Sequence, residues 1–163
     1  MTDALPNATT PHPSAAPRLQ PAFEVLAELG ESLDHGRTPL GERARVLITG
    51  GHFSGPRIRG RVLPGGADWQ LQRADGWWEL NAVYDMQCDD GTLVHVRNRG
   101  LWREGPDGGP DLYAMSQPVY DAPVGPHDWL NQHCFLATVG EPPDGRGDAV
   151  RLEVWLVGMP ALR

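Results

Sequence analysis

Long apolar runs are missing from this chain of 163 residues. No stretch approaches the roughly 20 consecutive apolar residues that a membrane span requires. Cysteine is scarce as well. Cys88 and Cys134 are the two present, too far apart for metal-type spacing, and they read as buried thiols. The histidines form no i,i+4 or H-x-H pair, so nothing proposes a metal centre. Positive charge is short: 14 basic against 21 acidic residues leave a formal net charge of -7. That balance argues against nucleic acid, whose phosphates need a basic surface. The basic clusters Arg57–Arg61 and Arg97–Arg99 alternate with other residues at strand spacing and read as a solvated strand face. No P-loop, G-x-G-x-x-G, G-x-S-x-G or H-E-x-x-H pattern occurs. The Gly-rich run Gly50–Pro56 has no helix pattern behind it to supply an anion-binding N-terminus. No cofactor is therefore expected. Residues 1–17 lack the basic and apolar segments of a secretory signal, and the expected compartment is the cytoplasm.

What the chain does have is glycine and proline: 20 and 16 residues, more than a fifth of the whole. Both break helices and make turns, which favours many short strands joined by tight connections. Residues 1–17 hold four prolines among small polar residues and read as a mobile tail, with one folded domain over 18–163. Candidate strands follow at Phe23–Leu29, Ala44–Thr49, Arg57–Leu63, Trp69–Arg73, Trp77–Cys88, Thr92–Leu101, Trp129–Val139 and Val150–Val157. Gly50-Gly51, Pro64-Gly65-Gly66, Asp75-Gly76, Asp89-Asp90-Gly91 and Pro143-Asp144-Gly145 punctuate them with turn chemistry. This spacing predicts an all-β fold: a small closed antiparallel barrel, a meander of roughly eight to ten strands. Glu104–Pro126, rich in Gly, Pro and Asp, reads as one long loop, the kind of segment that serves as a lid or partner contact.

One hairpin can be argued residue by residue. A two-residue Asp90-Gly91 loop would set Met86 against His95 and Tyr84 against Arg97. A three-residue loop pairs Cys88 with Thr92 and puts Gly91 in the left-handed position of a turn with a bulge. Met86 then faces Val94, Tyr84 faces Val96 and Ala82 faces Asn98, while Asp85, His95, Arg97 and Arg99 share the other side. A one-residue slip would turn every side chain to the wrong face, so the three-residue loop is preferred. Tyr84 and Asn98 thus point inward, where each needs a partner or costs about 1–3 kcal/mol. They either satisfy each other in a filled core or line a cavity.

Three further places could carry chemistry. Asp68 sits beside Trp69 after a flexible turn; apolar surroundings would raise its pKa and suit it to general acid–base work, while a turn cap is the plainer reading. Trp129, Asn131, His133 and Phe135 would share one side of a strand and could form a binding floor, or simply fill the core. The six tryptophans suit flat ligands as well as cores. Trp77 and Trp78 must point to opposite faces if both lie in a strand.

Taken together, Gly50-Gly51-x-Phe53-x-Gly55-Pro56, Pro64-Gly65-Gly66-Ala67-Asp68-Trp69-Gln70, the Tyr84…Asp90-Gly91 hairpin, Val96-Arg97-Asn98-Arg99-Gly100 and Trp129-Leu130-Asn131 resemble uncharacterised protein family 0311 (domain of unknown function 3237), a bacterial and fungal family. The resemblance runs from about Leu19 to Val157. It implies a closed antiparallel barrel with no agreed activity, and recurring polar positions at Asp68, Tyr84, Asn98 and Asn131 with Trp69 and Trp129 beside them. The chain departs from the pattern where relatives carry a longer insertion after Gly100 and a Tyr-Phe-Arg run; Tyr113-Ala114-Met115 stands there instead.

Three functions are open at this point. The first is an enzyme without a cofactor, a lyase, isomerase or cyclase acting on a small organic molecule, with Asp68, Tyr84 and Asn98 catalytic and Trp69, Trp129 and Asn131 holding the ligand. The second is a barrel that binds such a molecule unchanged. The third is a structural homo-oligomer. A cavity reached by Asp68 favours the first, and a filled interior the third.

Overall fold

Phe23, Val25 and Ala27 alternate with more exposed neighbours along the first strand and bury one side of it almost completely. Period-two burial of this kind recurs over Val94–Asn98 and Ser116–Tyr120 and commits those stretches to one inner face. The computed structural model describes residues 16–159. The tail expected over 1–17 falls outside them except for residues 16 and 17, as do residues 160–163 of the expected domain. The strands are β1 (Arg18–Thr38), β2 (Gly41–Ser54), β3 (Arg59–Val62), β4 (Gly66–Gln72), β5 (Trp78–Cys88), β6 (Leu93–Arg103), β7 (Tyr113–Asp121), β8 (Cys134–Gly140) and β9 (Ala149–Gly158). Among the described residues there is no α-helix, only short 3₁₀ turns at Pro106–Gly108 and Asp128–Gln132. No helix among the described residues is long and apolar enough to cross a membrane.

Every pairing is antiparallel, and β1 meets both β2 and β9, so the sheet closes into a barrel. β3 and β4 follow one another along the same gap between β2 and β5. The nine strands therefore occupy eight positions around the ring, in chain order, as a closed meander. A ring of this size has an interior that side chains can fill or that can hold one small ligand.

The β5–β6 hairpin has the expected register: Ala82 opposes Asn98, Tyr84 opposes Val96, Asp85 opposes His95 and Met86 opposes Val94. The turn closes through the Cys88 and Gly91 backbone, and Gly91 takes φ 88°, a conformation that glycine adopts without strain. Tyr84, Met86, Val94, Val96 and Asn98 are buried; Asp85, His95, Arg97 and Arg99 are exposed.

Three sequence expectations are corrected. Gly50-Gly51 is not a turn: both residues lie inside β2, at a register shift against β1. A Cβ on Gly51, with φ 128°, would sit on the Leu26 carbonyl oxygen, so the glycine permits close approach rather than reversal. Glu104–Pro126 is not one loop, because β7 occupies its second half and pairs with β6 from Tyr113 to Asp121. Pro118 concealed it. That residue lies beyond Met115 and Ser116, where β7 pairs with β8, on a stretch whose second edge is free to carry a proline. Finally, Trp129 and Asn131 belong to a 3₁₀ turn, not to the strand that begins at Cys134, so the alternation with His133 and Phe135 does not hold.

The barrel's interior is filled unevenly. Phe23, Phe53, Tyr120, Phe135 and Trp129 interlock at one end, with ring centroids 5.1–6.3 Å apart. Aromatic packing of this kind plugs that end. Toward the other end the inner positions are small, including Ala27, Ala82, Ser116 and Ala149, and the space between the strands stays open.

Candidate functional site

The open end holds a cavity of about 390 Å³, within the range of small-molecule pockets. Its wall is aliphatic where Leu29, Val46, Ile48, Leu80 and Leu152 contribute. Asp68, Tyr84, Asn98, Trp102 and Ser116 bring polar atoms to it. The β6–β7 connection (Glu104, Gly108, Gly109, Asp111), Gly140 at the end of β8 and Glu141 just after it form its rim. Of the expected loop, the irregular part before β7 lies at the mouth, while residues 122–126 after it do not line the cavity.

Alternation along three neighbouring strands explains the grouping. Asp68 of β4 opposes Ala82 of β5, and Ala82 opposes Asn98 of β6. Asn98 in turn opposes Pro118 of β7, two residues beyond Ser116, so all these positions share the inner face. Asp68 is half-buried and held on both oxygens: Oδ1 accepts the Asn81 N–H at 2.8 Å and Oδ2 accepts the Gln70 side-chain amide at 2.8 Å. Loss of water around the carboxyl raises its pKa above the ordinary value, and the two hydrogen bonds only partly oppose this. The Tyr84 hydroxyl is pushed well above the usual phenol range by burial, so it keeps its proton at neutral pH.

Several polar atoms here have no partner among the described residues. Asn98 Oδ1, Ser116 Oγ and Trp102 Nε1 are buried and form no hydrogen bond, although Asn98 is 6% and Ser116 3% exposed. Buried polar groups are rarely left so, and three on one cavity wall present a pattern that a bound molecule or water would complete.

The sequence-derived residues separate into two groups. Asp68, Tyr84 and Asn98 meet at the cavity. Trp69 does not: it follows Asp68 on β4 and therefore points outward, 38% exposed. Trp129 lies in the plugged end against Phe135, with the Arg57 guanidinium 4.2 Å from its ring centre. Asn131 clamps the backbone of Ala122, accepting its N–H at 2.8 Å and donating to its carbonyl at 2.7 Å. Neither residue lines the cavity. Two cavity residues lie beyond the sequence expectations: Ser116, hidden because β7 reads as loop, and Trp102, which the 98, 100, 102 alternation along β6 does supply.

Two other hollows lie outside this cavity. A groove of about 700 Å³ runs beside Pro21–Leu26, but Arg151, the cation in its lining, is already paired with Glu24 and Glu153 at 2.7 Å each. Cys88, Asp90 and His127 place donor atoms within 4.8 Å of one another, near the plugged end. There His127 Nε2 pairs with Asp90 at 2.9 Å. Burial and the neighbouring carboxylates push the Cys88 thiol up to about 11, and Arg57 and Arg59 line the same hollow, which disfavours a cation.

Comparison with known proteins agrees with this architecture. A UPF0311 protein of Rhodopseudomonas palustris strain TIE-1 is 33% identical over 134 residues, 75% of this chain and 87% of the relative. A β-barrel-like protein of Acinetobacter baumannii superposes with a TM-score of 0.79 at 24% identity, over 92% of this chain and 99% of that one. An enzyme of Penicillium herquei does so with a TM-score of 0.71 at 23% identity, over 92% and 98%. At those identities the two structures speak for the fold. The family model of the protein of unknown function DUF3237 matches residues 17–157, and the chain with its closed barrel belongs to that family.

Proposed function

We propose that the barrel takes a small organic molecule into this cavity and acts on it by acid–base chemistry, as a cofactor-independent lyase, isomerase or cyclase. The observation that carries the reading is a carboxyl of raised pKa, Asp68, facing one cavity with the unpartnered Asn98 and Ser116. A carboxyl whose pKa lies closer to neutrality exchanges protons more evenly in both directions. Its two hydrogen bonds fix the plane of the group, and its remaining lone pairs are free for a substrate proton. The Tyr84 hydroxyl and the Asn98 amide would donate to a carbonyl oxygen as it gains charge. In the simplest step, Asp68 removes a proton from the carbon next to that carbonyl and returns it at another atom.

A second reading is binding without turnover. It is favoured by the aliphatic wall and by the unpartnered atoms themselves, which need only an occupant. The two readings separate in heavy water. A neutral aryl methyl ketone such as 4-hydroxyacetophenone, incubated with the protein, should gain deuterium at its methyl carbon by mass spectrometry. That gain should vanish in Asp68→Asn and persist in Trp69→Phe. A ketone that binds but gains no deuterium above the buffer rate, or gains it equally in Asp68→Asn, would remove the acid–base reading and leave binding.

A further inference from the structure

The charges around the cavity carry a statement about what enters it. Four carboxylic side chains line it: Asp68 within, and Glu104, Asp111 and Glu141 at the rim. No arginine, lysine or histidine is among the lining residues. The three rim carboxylates form no ion pair with any described residue. Arg97 and Arg99 point outward, Arg146 and Arg151 are paired with other acids, and Arg103, which precedes Glu104, lies over the Trp77 ring at 5.5 Å from its centre and not in the lining. An anion entering this mouth therefore meets like charge and no compensating donor cation. Like charges facing one another in partly desolvated surroundings are costly.

The unpartnered atoms define the other half of the requirement. Trp102 Nε1 can only donate, so it calls for an acceptor such as a carbonyl or ether oxygen. Asn98 Oδ1 can only accept, so it calls for a hydroxyl. Ser116 Oγ can do either. The aliphatic wall between them favours a carbon skeleton over a highly hydrated ligand.

Resting on the ligand-handling reading above, we infer that the cavity selects uncharged, oxygenated organic molecules that carry both a hydroxyl and a carbonyl or ether oxygen, and that it discriminates against carboxylates and phosphates. The rim carboxylates supply the discrimination, and Trp102, Asn98 and Ser116 supply the recognition.

Two probes of nearly equal size and shape isolate the charge: 4-hydroxyacetophenone and 4-hydroxybenzoate, titrated at pH 7 and followed by tryptophan fluorescence and by chemical shifts of the cavity residues. The ketone should bind at least about tenfold more tightly than the acid, the scale of one such unfavourable contact. The gap should narrow as salt is raised. It should also narrow in Glu104→Lys/Asp111→Lys, chiefly through tighter binding of the acid. Trp102→Phe should weaken the ketone while leaving the charge preference in place. Equal or tighter binding of the acid to the unmodified protein would overturn the inference alone. Failure of both probes to shift any cavity resonance at millimolar concentration would overturn the ligand-handling reading with it.

Discussion

Asp68 and Asn98 flank the same residue, Ala82, from the two sides of β5: Ala82 opposes Asp68 on β4 and Asn98 on β6. Because directly opposed residues share a face, the carboxyl and the carboxamide are fixed on one inner surface with only a methyl group between them. Large side chains elsewhere on β5 fill the barrel; this small one leaves the space that the two polar groups border. The cavity's polar lining is thus a product of strand register, and it depends on the backbone pairing as much as on the side chains.

The raised pKa of Asp68 has a consequence for stability. The folded protein holds this proton more tightly than the unfolded chain, whose carboxyl titrates near 3.8. The favourable contribution is full below that pH and is lost as pH rises through the higher folded value. Asp68→Asn keeps the shape and removes the titration. Urea unfolding between pH 4 and pH 7 should show the variant gaining stability relative to the parent as pH increases. Parallel curves would mean that the carboxyl is as well solvated as in the unfolded chain.

The sequence revealed the barrel through its punctuation and revealed the inner face of one hairpin through a choice between two registers. That choice worked because charged residues and apolar residues alternate cleanly over Tyr84–Asp85–Met86 and Val94–His95–Val96. It could not work for β7, where Pro118 and the Gly-, Pro- and Asp-rich residues on either side conceal a strand whose inner face carries Ser116, Pro118 and Tyr120. Nor could it work for Trp129 and Asn131, whose apparent period of two ends in a 3₁₀ turn. The tryptophans divided accordingly. Trp78 and Trp102 stack at the cavity end with centroids 5.6 Å apart, whereas Trp77 packs outside on Tyr113. Local alternation locates a residue on a face, but only closure of the ring decides which faces meet, and that depends on pairings between strands far apart in sequence.

The two cysteines should differ sharply in reactivity. Cys88 is buried and its thiol is pushed up to about 11 by desolvation and by Asp90 and Asp89, whereas Cys134 is exposed. The thiolate is the reactive form, so burial and the raised pKa act in the same direction. Iodoacetamide at pH 8 should label Cys134 in the folded protein and leave Cys88 unmodified by peptide mass spectrometry, with both labelled in urea. The Cys88 contribution to folding is lost as pH rises through about 11, so alkaline unfolding should shift upward in Cys88→Ala relative to the cost measured at neutral pH.

Asn131 is a brace in this structure. Its carboxamide closes a two-bond clamp on the Ala122 backbone, which is buried. Asn131→Ala should cost about 1–3 kcal/mol in chemical denaturation, the penalty for leaving buried backbone groups unpaired. Because the clamp lies away from the cavity, the affinity for 4-hydroxyacetophenone should stay within about twofold of the parent, well under the tenfold that corresponds to about 1.4 kcal/mol. A large loss of affinity with little loss of stability would instead assign Asn131 to ligand recognition.

Ser116 should show the opposite trade. Ser116 is 3% exposed and its hydroxyl has no partner among the described residues, so burying it on folding carries a cost that only water or a ligand can offset. Ser116→Ala removes that cost with almost no change in volume and should raise the unfolding free energy by about 1 kcal/mol. It should simultaneously weaken binding of the hydroxylated ketone, because the group it removes is one the ligand would satisfy. The two effects have one cause, a polar atom held unpaired in the absence of an occupant, and such groups are characteristically less stable than the apolar residues that could replace them. The pair of measurements is therefore decisive. A Ser116→Ala protein that is less stable than its parent would show that the hydroxyl has a structural partner, and the case for an unfilled hydrogen-bonding surface would then rest on Asn98 and Trp102 alone.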